Sequence, residues 1–303
     1  MPWLQISISV DQSSANKVEA ILHDHGACSV TLKDAADEPI LEPAPGETPI
    51  WNNTTITGLF EDTDNNEALT KNIASSLKRI EHSIIAEQLE DQDWSRTWMD
   101  HYKPMKFGER LWICPHHIEP PDPGAINLRL DPGLAFGTGT HPTTSLCLSW
   151  LDQHCNHQKN MLDYGCGSGV LAIAALLLGI QSADGVDIDP QAIEASTANA
   201  QANRVTDRLQ LYTTEQFKSR QHKAPDINKH ALKYEIVMAN ILSGPLIELA
   251  ATLAGHTKTN GHIVVSGILH EQAEEVLSAY ASHFVMAAPV EMDGWVLLHG
   301  HKQ

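Results

Sequence analysis

A nine-residue run, Met161–Gly169 (MLDYGCGSG), constrains this chain more than any other feature. An apolar strand-like stretch meets Asp163. Gly165, Gly167 and Gly169 follow at alternate positions, and a helix-like run opens at Val170. Glycines at such spacing let the backbone turn sharply and approach a ligand, while the helix start behind them presents free N–H groups. Dinucleotide enzymes space their glycines as G-x-G-x-x-G; here the spacing is G-x-G-x-G. A strand running through a glycine turn into a helix is the opening unit of a doubly wound α/β sheet.

The next segments repeat that logic. Val186–Pro190 (VDIDP) ends the following expected strand, roughly 20 residues after the turn, where an acidic side chain accepts the hydroxyl hydrogens of a ribose. Asp187 is the candidate for that role. Asp189–Pro190 reads as a helix N-cap followed by a first-turn proline. Further on, Val237–Pro245 (VMANILSGP) ends an expected strand in Asn240, at the sheet edge where ligands of open α/β folds bind. Its carbonyl is suited to accept a hydrogen bond from an attacking amine. Leu130–Thr144 (LDPGLAFGTGTHPTT) precedes the first of these strands as a flexible polar segment that could fold over a ligand. Thr143 and Thr144 stand where a helix begins, so one of them is expected to cap it.

Strand-like and helix-like segments alternate throughout this half. Expected strands are 161–164, 183–187, 209–212, 236–239, 262–266, 284–287 and 295–299. Helices are expected over 170–178, 190–203, 245–254 and 271–281. Residues 1–90 read differently. Apolar alternation and helical spacing give β-α-β-β-α-β over 3–10, 13–25, 27–33, 54–60, 65–79 and 82–88, the order of a ferredoxin-like sandwich. A loop with Pro39, Pro43, Pro45 and Pro49 interrupts it. Residues 91–105 read as a linker helix, with Trp94, Trp98 and Tyr102 on one stripe, ended by Pro104. The second, α/β unit is then 106–303.

Composition narrows the partners. The formal net charge of −18 repels nucleic acid and attracts basic macromolecules. No apolar run approaches the ~20 residues that span a bilayer, and no signal-peptide pattern stands at the N-terminus. A cytoplasmic location is expected. Five cysteines fit no zinc or disulfide framework and are expected as reduced, mostly buried thiols. The 17 histidines are scattered; the adjacent His116 and His117 do not converge on one ion without further ligands, so no metal site is expected.

Together these residues resemble the class I S-adenosylmethionine-dependent methyltransferases. More narrowly, DPGLAFGTGTHPTTSLCL, LDYGCGSGVLAIAA, GVDIDPQAIEASTANA, and ANIL with Pro245 are similar to the ribosomal protein L-eleven methyltransferase family, PrmA. The linker DWSRTWMDHYKPMKFGERLWICP is similar too, so the resemblance covers nearly the whole chain. It implies an α/β fold: a Rossmann-like domain with a seven-stranded, mostly parallel sheet and an antiparallel last strand, preceded by a ferredoxin-like substrate-recognition domain. It implies methylation of lysine side chains and the N-terminal amine of one large-subunit ribosomal protein, with S-adenosylmethionine as cofactor. The family's cofactor positions fall on Thr144, Gly165, Asp187 and Asn240. Gly167 joins them from the glycine turn, and Asn240 doubles as the group that aligns the amine. The stretch 218–234 looks longer and more polar than the family's and is expected as a surface loop.

Ribosomal proteins are generally basic, which suits an acidic enzyme, expected as a monomer. Three other readings stay open: an N-methyltransferase acting on another protein, a small-molecule amine or a nucleic-acid base; a non-catalytic cofactor-binding module; and a nicotinamide oxidoreductase. Net charge disfavours the nucleic acid, the intact turn with Asp187 disfavours the module, and glycine spacing disfavours nicotinamide.

Overall fold

The computed structural model describes residues 3–36, 49–63, 65–78, 80, 82–89, 103–131, 141–155, 158–223 and 233–303. The expected linker helix with its aromatic stripe, most of the proline loop and the glycine-rich part of 130–144 lie outside these residues. The chain divides into two compact units, residues 1–97 and 98–303.

The first unit is a sheet backed by two helices. Its elements are β1 (Trp3–Asp11), α1 (Gln12–Asp24), β2 (Ser29–Asp34), β3 (Asn53–Glu61), α2 (Asn66–Ser76) and β4 (Ser83–Leu89). All pairings are antiparallel, in the order β2-β3-β1-β4, so the ferredoxin-like order expected from the sequence is the one observed. Alternation decides the faces. Leu4, Ile6, Ile8 and Val10 of β1 point into the core with Ile56 and Phe60 of β3, and Val18 and Leu22 of α1 close over them. The Asp11 carboxylate accepts from Ser14 N–H and starts α1.

The second unit begins with a small sheet absent from the sequence expectations: β5 (Met105–Phe107), β6 (Leu111–Cys114) and β7 (Ile126–Arg129). Then follow α3 (Pro142–His154), β8 (Asn160–Tyr164), α4 (Val170–Leu177), β9 (Ser182–Asp187), α5 (Pro190–Ala202), β10 (Leu209–Thr213), α6 (Thr214–Lys223) and β11 (Tyr234–Asn240). The chain finishes with α7 (Ser243–His256), β12 (Thr257–Leu269), α8 (Ala273–Ala281), β13 (Val285–Met286), β14 (Val290–Met292) and β15 (Trp295–His301). The central sheet runs β10-β9-β8-β11-β12-β15-β13, with β14 paired to β15. The first five are parallel and β15 is antiparallel to β12. The expected seven-stranded path is present, with β14 as an eighth strand.

Two expectations are corrected. Residues 218–223, expected to open a surface loop over 218–234, are the second half of helix α6, while 224–232 lie outside the described residues. Phe217 of α6 is buried, and Arg220 donates to Asp184 Oδ2 of β9 at 2.7 Å. Tyr234, expected at the end of that loop, is buried at the start of β11 and donates to the same carboxylate oxygen at 2.5 Å. The helix was hidden because its anchors to the sheet are single residues within a polar run. Neither Thr143 nor Thr144 caps α3. His141 does, through its imidazole facing Thr143 N–H at 3.4 Å.

The α4 sequence, VLAIAALL, is apolar all round because it is covered on all sides. Every residue from Val170 to Leu176 is buried. Helix α3 spans the same core and ends in an aromatic stack: Trp150 lies parallel to His154 at 4.3 Å between ring centroids. His262 of β12 and His299 of β15 face Trp150 at 5.8 and 6.1 Å. His301 is the cross-strand partner of His262.

Burial, then the neighbouring His154 and His301, hold the His262 imidazole below its ordinary value; burial, His154 and His262 do the same to His299. The unfolded chain therefore binds more protons than the native one below about pH 6.5. Stability from this cluster is fully present above that pH and is lost as pH falls through the native values. Thermal unfolding followed from pH 7.5 to pH 5 should show a falling midpoint. The double variant His262→Gln, His299→Gln should flatten that slope; an unaltered slope would remove the cluster as its source.

Candidate functional site

Tyr164, Asp187 and Asn240 end β8, β9 and β11, three adjacent parallel strands. From β8 the chain steps to β9 on one side, and β11 lies on the other. This reversal of strand order leaves a crevice beyond the carboxyl ends.

The glycine turn fills one side of that crevice. Gly165, Gly167 and Gly169 have φ of 81°, 52° and 77°, a region closed to most side chains. Gly165 and Cys166 N–H both donate to the carbonyl of Val186, at 2.7 and 3.1 Å. Gly167 N–H donates to Asp187 Oδ2 at 2.8 Å, and Asp189 N–H to Asp187 Oδ1 at 3.0 Å. Ser196 of α5 holds the Gly167 carbonyl at 2.7 Å, and Asn199 holds that of Ser168 at 2.9 Å. The turn is thus fastened to the end of β9 and the flank of α5.

Close approach at Gly165 has a partner within the chain. A Cβ there would stand 2.3 Å from Cγ2 of Ile241, the residue after Asn240. The missing side chain brings the glycine turn against the loop after β11.

On the other side, Asn240 Nδ2 donates to Thr144 Oγ1 at 3.4 Å. Thr144 is buried in the first turn of α3. Residues 96 apart in the sequence thereby meet, and the Asn240 carboxamide is turned with Oδ1 away from Thr144. The structure thus gathers Gly165, Gly167 and Asp187 on one flank, Thr144 and Asn240 on the other. Asp189 takes the capping position expected of it, accepting from Gln191 N–H at 2.9 Å.

Three features escaped the sequence reading. Asp163, at the base of the turn, is fully buried; one oxygen accepts from Ala172 N–H at 3.1 Å, while Oδ1 has no hydrogen-bond partner among the described residues. Burial is the main cause that pushes its carboxyl up to about 7, and the Asp187 charge adds to it. Ile188 is 85% exposed beside Asp187, and Leu242 is 55% exposed beyond Asn240. An apolar residue between two aspartates in VDIDP was the available signal for Ile188. His141 packs edge-on against Trp295, the first residue of β15, at 4.7 Å. Burial lowers its pKa, which favours the neutral imidazole that capping requires. No group of three or more His, Cys, Asp or Glu fit to hold a metal ion occurs among the described residues.

Known proteins match this chain in sequence from end to end. A family profile described as ribosomal protein L11 methyltransferase (PrmA) matches residues 2–303. A protein named ribosomal protein L11 methyltransferase from Marinobacter nauticus is 49% identical over 100% of this chain and 99% of its own length. One of the same name from Escherichia coli is 48% identical over the full length of both. A crystal structure described as ribosomal protein L11 methylase from Lactobacillus delbrueckii subsp. bulgaricus superposes with a TM-score of 0.57 at 29% identity. It covers 67% of this chain and 100% of that one. With the profile matched across its length and relatives near half identical throughout, the chain belongs to the ribosomal protein L11 methyltransferase (PrmA) family.

Proposed function

We propose that this protein transfers methyl groups from S-adenosylmethionine to amines of ribosomal protein L11, the lysine side chains and the N-terminal amine. The observation that carries the reading is the pairing of a fixed carboxylate, Asp187, with an oriented carboxamide, Asn240, on either side of the glycine turn. When bound, S-adenosylmethionine supplies an electrophilic methyl on a sulfonium.

Asp187 is the residue for the ribose hydroxyls. Each of its oxygens already takes one backbone N–H, which fixes the carboxylate, and each keeps acceptor capacity. Ile188 offers an apolar surface for the base. Gly165 and Gly167 form the wall for the rest of the nucleoside. The orphaned Oδ1 of Asp163 fits a cationic ligand, because a positive charge nearby stabilises a carboxylate that burial keeps partly protonated.

The acceptor amine poses the harder problem. A lysine with a pKa of about 10.4 is less than ~0.1% neutral at pH 7. Desolvation in the crevice lowers that value. The Asn240 carbonyl then accepts an amine hydrogen and aims the lone pair, an orientation effect of the kind that supplies about 7–11 kcal/mol where reactants are held in line. Thr144 holds the carboxamide in that attitude. No anion develops, so the site needs no oxyanion donors.

We assign residues 1–90 to substrate recognition, 91–105 to connection and 106–303 to catalysis. The net charge of −18 supports a basic protein substrate over nucleic acid. No helix among the described residues is long and apolar enough to cross a membrane. The protein is read as a cytoplasmic monomer, working where ribosomal proteins are made.

Incubation with labelled S-adenosylmethionine and ribosomal proteins from methylation-deficient cells should place label on L11, located by mass spectrometry; label confined to other proteins, RNA or metabolites would overturn the assignment. Asp187→Ala should weaken cofactor binding by about 1.5–3 kcal/mol, read by calorimetry, from the loss of hydrogen bonds to a charged acceptor. Asn240→Ala should slow single-turnover transfer by on the order of 100-fold with little change in protein-substrate affinity. Cofactor binding near pH 7 should release protons from Asp163, making the calorimetric enthalpy depend on the buffer's ionisation enthalpy. Equal enthalpies in phosphate and Tris, or a dependence that survives Asp163→Asn, would exclude that carboxyl as the proton source.

A further inference from the structure

Strand β14 takes no part in the crevice described above. Residues 287–294 are eight consecutive exposed positions, and β14 lies in their middle. It pairs with β15 on one side and, among the described residues, with nothing on the other. Asp293 and Gly294 both have positive φ, 50° and 78°, and close a two-residue hairpin from Met292 to Trp295. In such a hairpin the residues flanking the turn form the hydrogen-bonded pair. The antiparallel alternation then turns the N–H and C=O of Glu291 outward.

The edge leads to the acceptor corner. Met292 pairs with Trp295, whose ring packs on His141, the cap of the helix whose Thr144 holds Asn240. Val290 and Met292 share one face of the strand, 44% and 38% exposed, and continue the apolar surface of Trp295. Natural edges are commonly blunted by lysine. Here no Lys or Arg occurs between residues 259 and 301, and Glu291 and Asp293 stand on the hairpin itself. Glu271 follows His270, whose N–H donates to the Gly294 carbonyl at 3.0 Å and whose ring faces the Glu291 carboxylate at 3.0 Å. The hairpin edge is thus open, apolar on one face and carries carboxylates.

We infer that β14 is a docking edge for the protein substrate: a basic, extended segment adjoining the methylated amine pairs with Glu291 as an added strand. Main-chain hydrogen bonds supply affinity without demanding one sequence, and the carboxylates select for positive charge. An edge that reads backbone accepts several different amines in turn, which suits an enzyme acting on more than one. The inference rests on the reading of L11 as substrate.

The test uses the full-length enzyme with L11 and two variants. Glu291→Pro removes the outward N–H without removing a bond to β15. Met292→Lys leaves the backbone intact and sets a positive charge at the edge. Each should raise the KM for L11 about tenfold or more, with kcat at saturating L11 and cofactor affinity unchanged. In the parent enzyme, L11 should slow hydrogen–deuterium exchange at residues 290–292. If the parent methylates L11 but neither KM nor exchange responds, β14 is not the docking edge and the assigned function stands. If the parent neither binds nor methylates L11, the functional reading fails and takes the docking edge with it.

Discussion

One carbonyl organises the glycine-turn flank of the crevice. Val186 O accepts the amides of both Gly165 and Cys166, so the turn between β8 and α4 is tied to the neighbouring strand as well as closed by Gly169 N–H on the Cys166 carbonyl at 2.8 Å. Asp187, one residue on, is bound to take up position against Gly167. The positive φ values at the three glycines follow from this fastening, and any residue with a Cβ would strain it. The turn is therefore set by the sheet. Ordering of this kind is complete at folding, which lowers what a ligand must supply on arrival.

Helix α3 does for the Asn240 flank what Val186 does for the other. Its first turn carries His141 and Thr144, facing Trp295 and Asn240. Its last turn carries Trp150 and His154, stacked among the histidines of β12 and β15. Between them Leu146, Cys147, Leu148 and Leu151 are buried in the main core. The helix is also held from outside. Asp152 accepts the amides of Glu109 and Arg110, and Gly108 has no Cβ because the Asp152 carboxylate stands 2.3 Å from where it would be. The small sheet β5-β6-β7 thus buttresses the helix that carries Thr144.

Much of this was legible in the sequence because strand ends are marked locally. A glycine turn, an acidic residue after an apolar run and an asparagine before a proline-started helix each announce a carboxyl end, and all three fell on adjacent strands. The ferredoxin-like order was equally readable: β1 alternates cleanly in sequence over its length, and β3, though Thr54 and Gly58 take inward positions, still shows Ile56 and Phe60 in register. What stayed hidden depends on distant partners. Strands β5, β6 and β7 are three or four residues long, and Asp152 pins the turn between the first two from more than 40 positions away. The cap of α3 was misread because threonine is the stronger local signal, while His141 gains its place from Trp295 at the far end of the chain. The Asp293–Gly294 turn was a local hairpin signal, but a three-residue strand before it carries too little pattern to be noticed.

The contact between Gly165 and Ile241 has a mechanical meaning. The glycine turn and the loop after β11 share a single van der Waals surface, so neither can shift without pressing on its neighbour. On the proposed assignment, a nucleoside that settles the first loop also settles the second, and an amine seated beside Asn240 is felt under the glycines. By thermodynamic reciprocity, the proposed donor and acceptor sites then alter each other's affinity by one common factor.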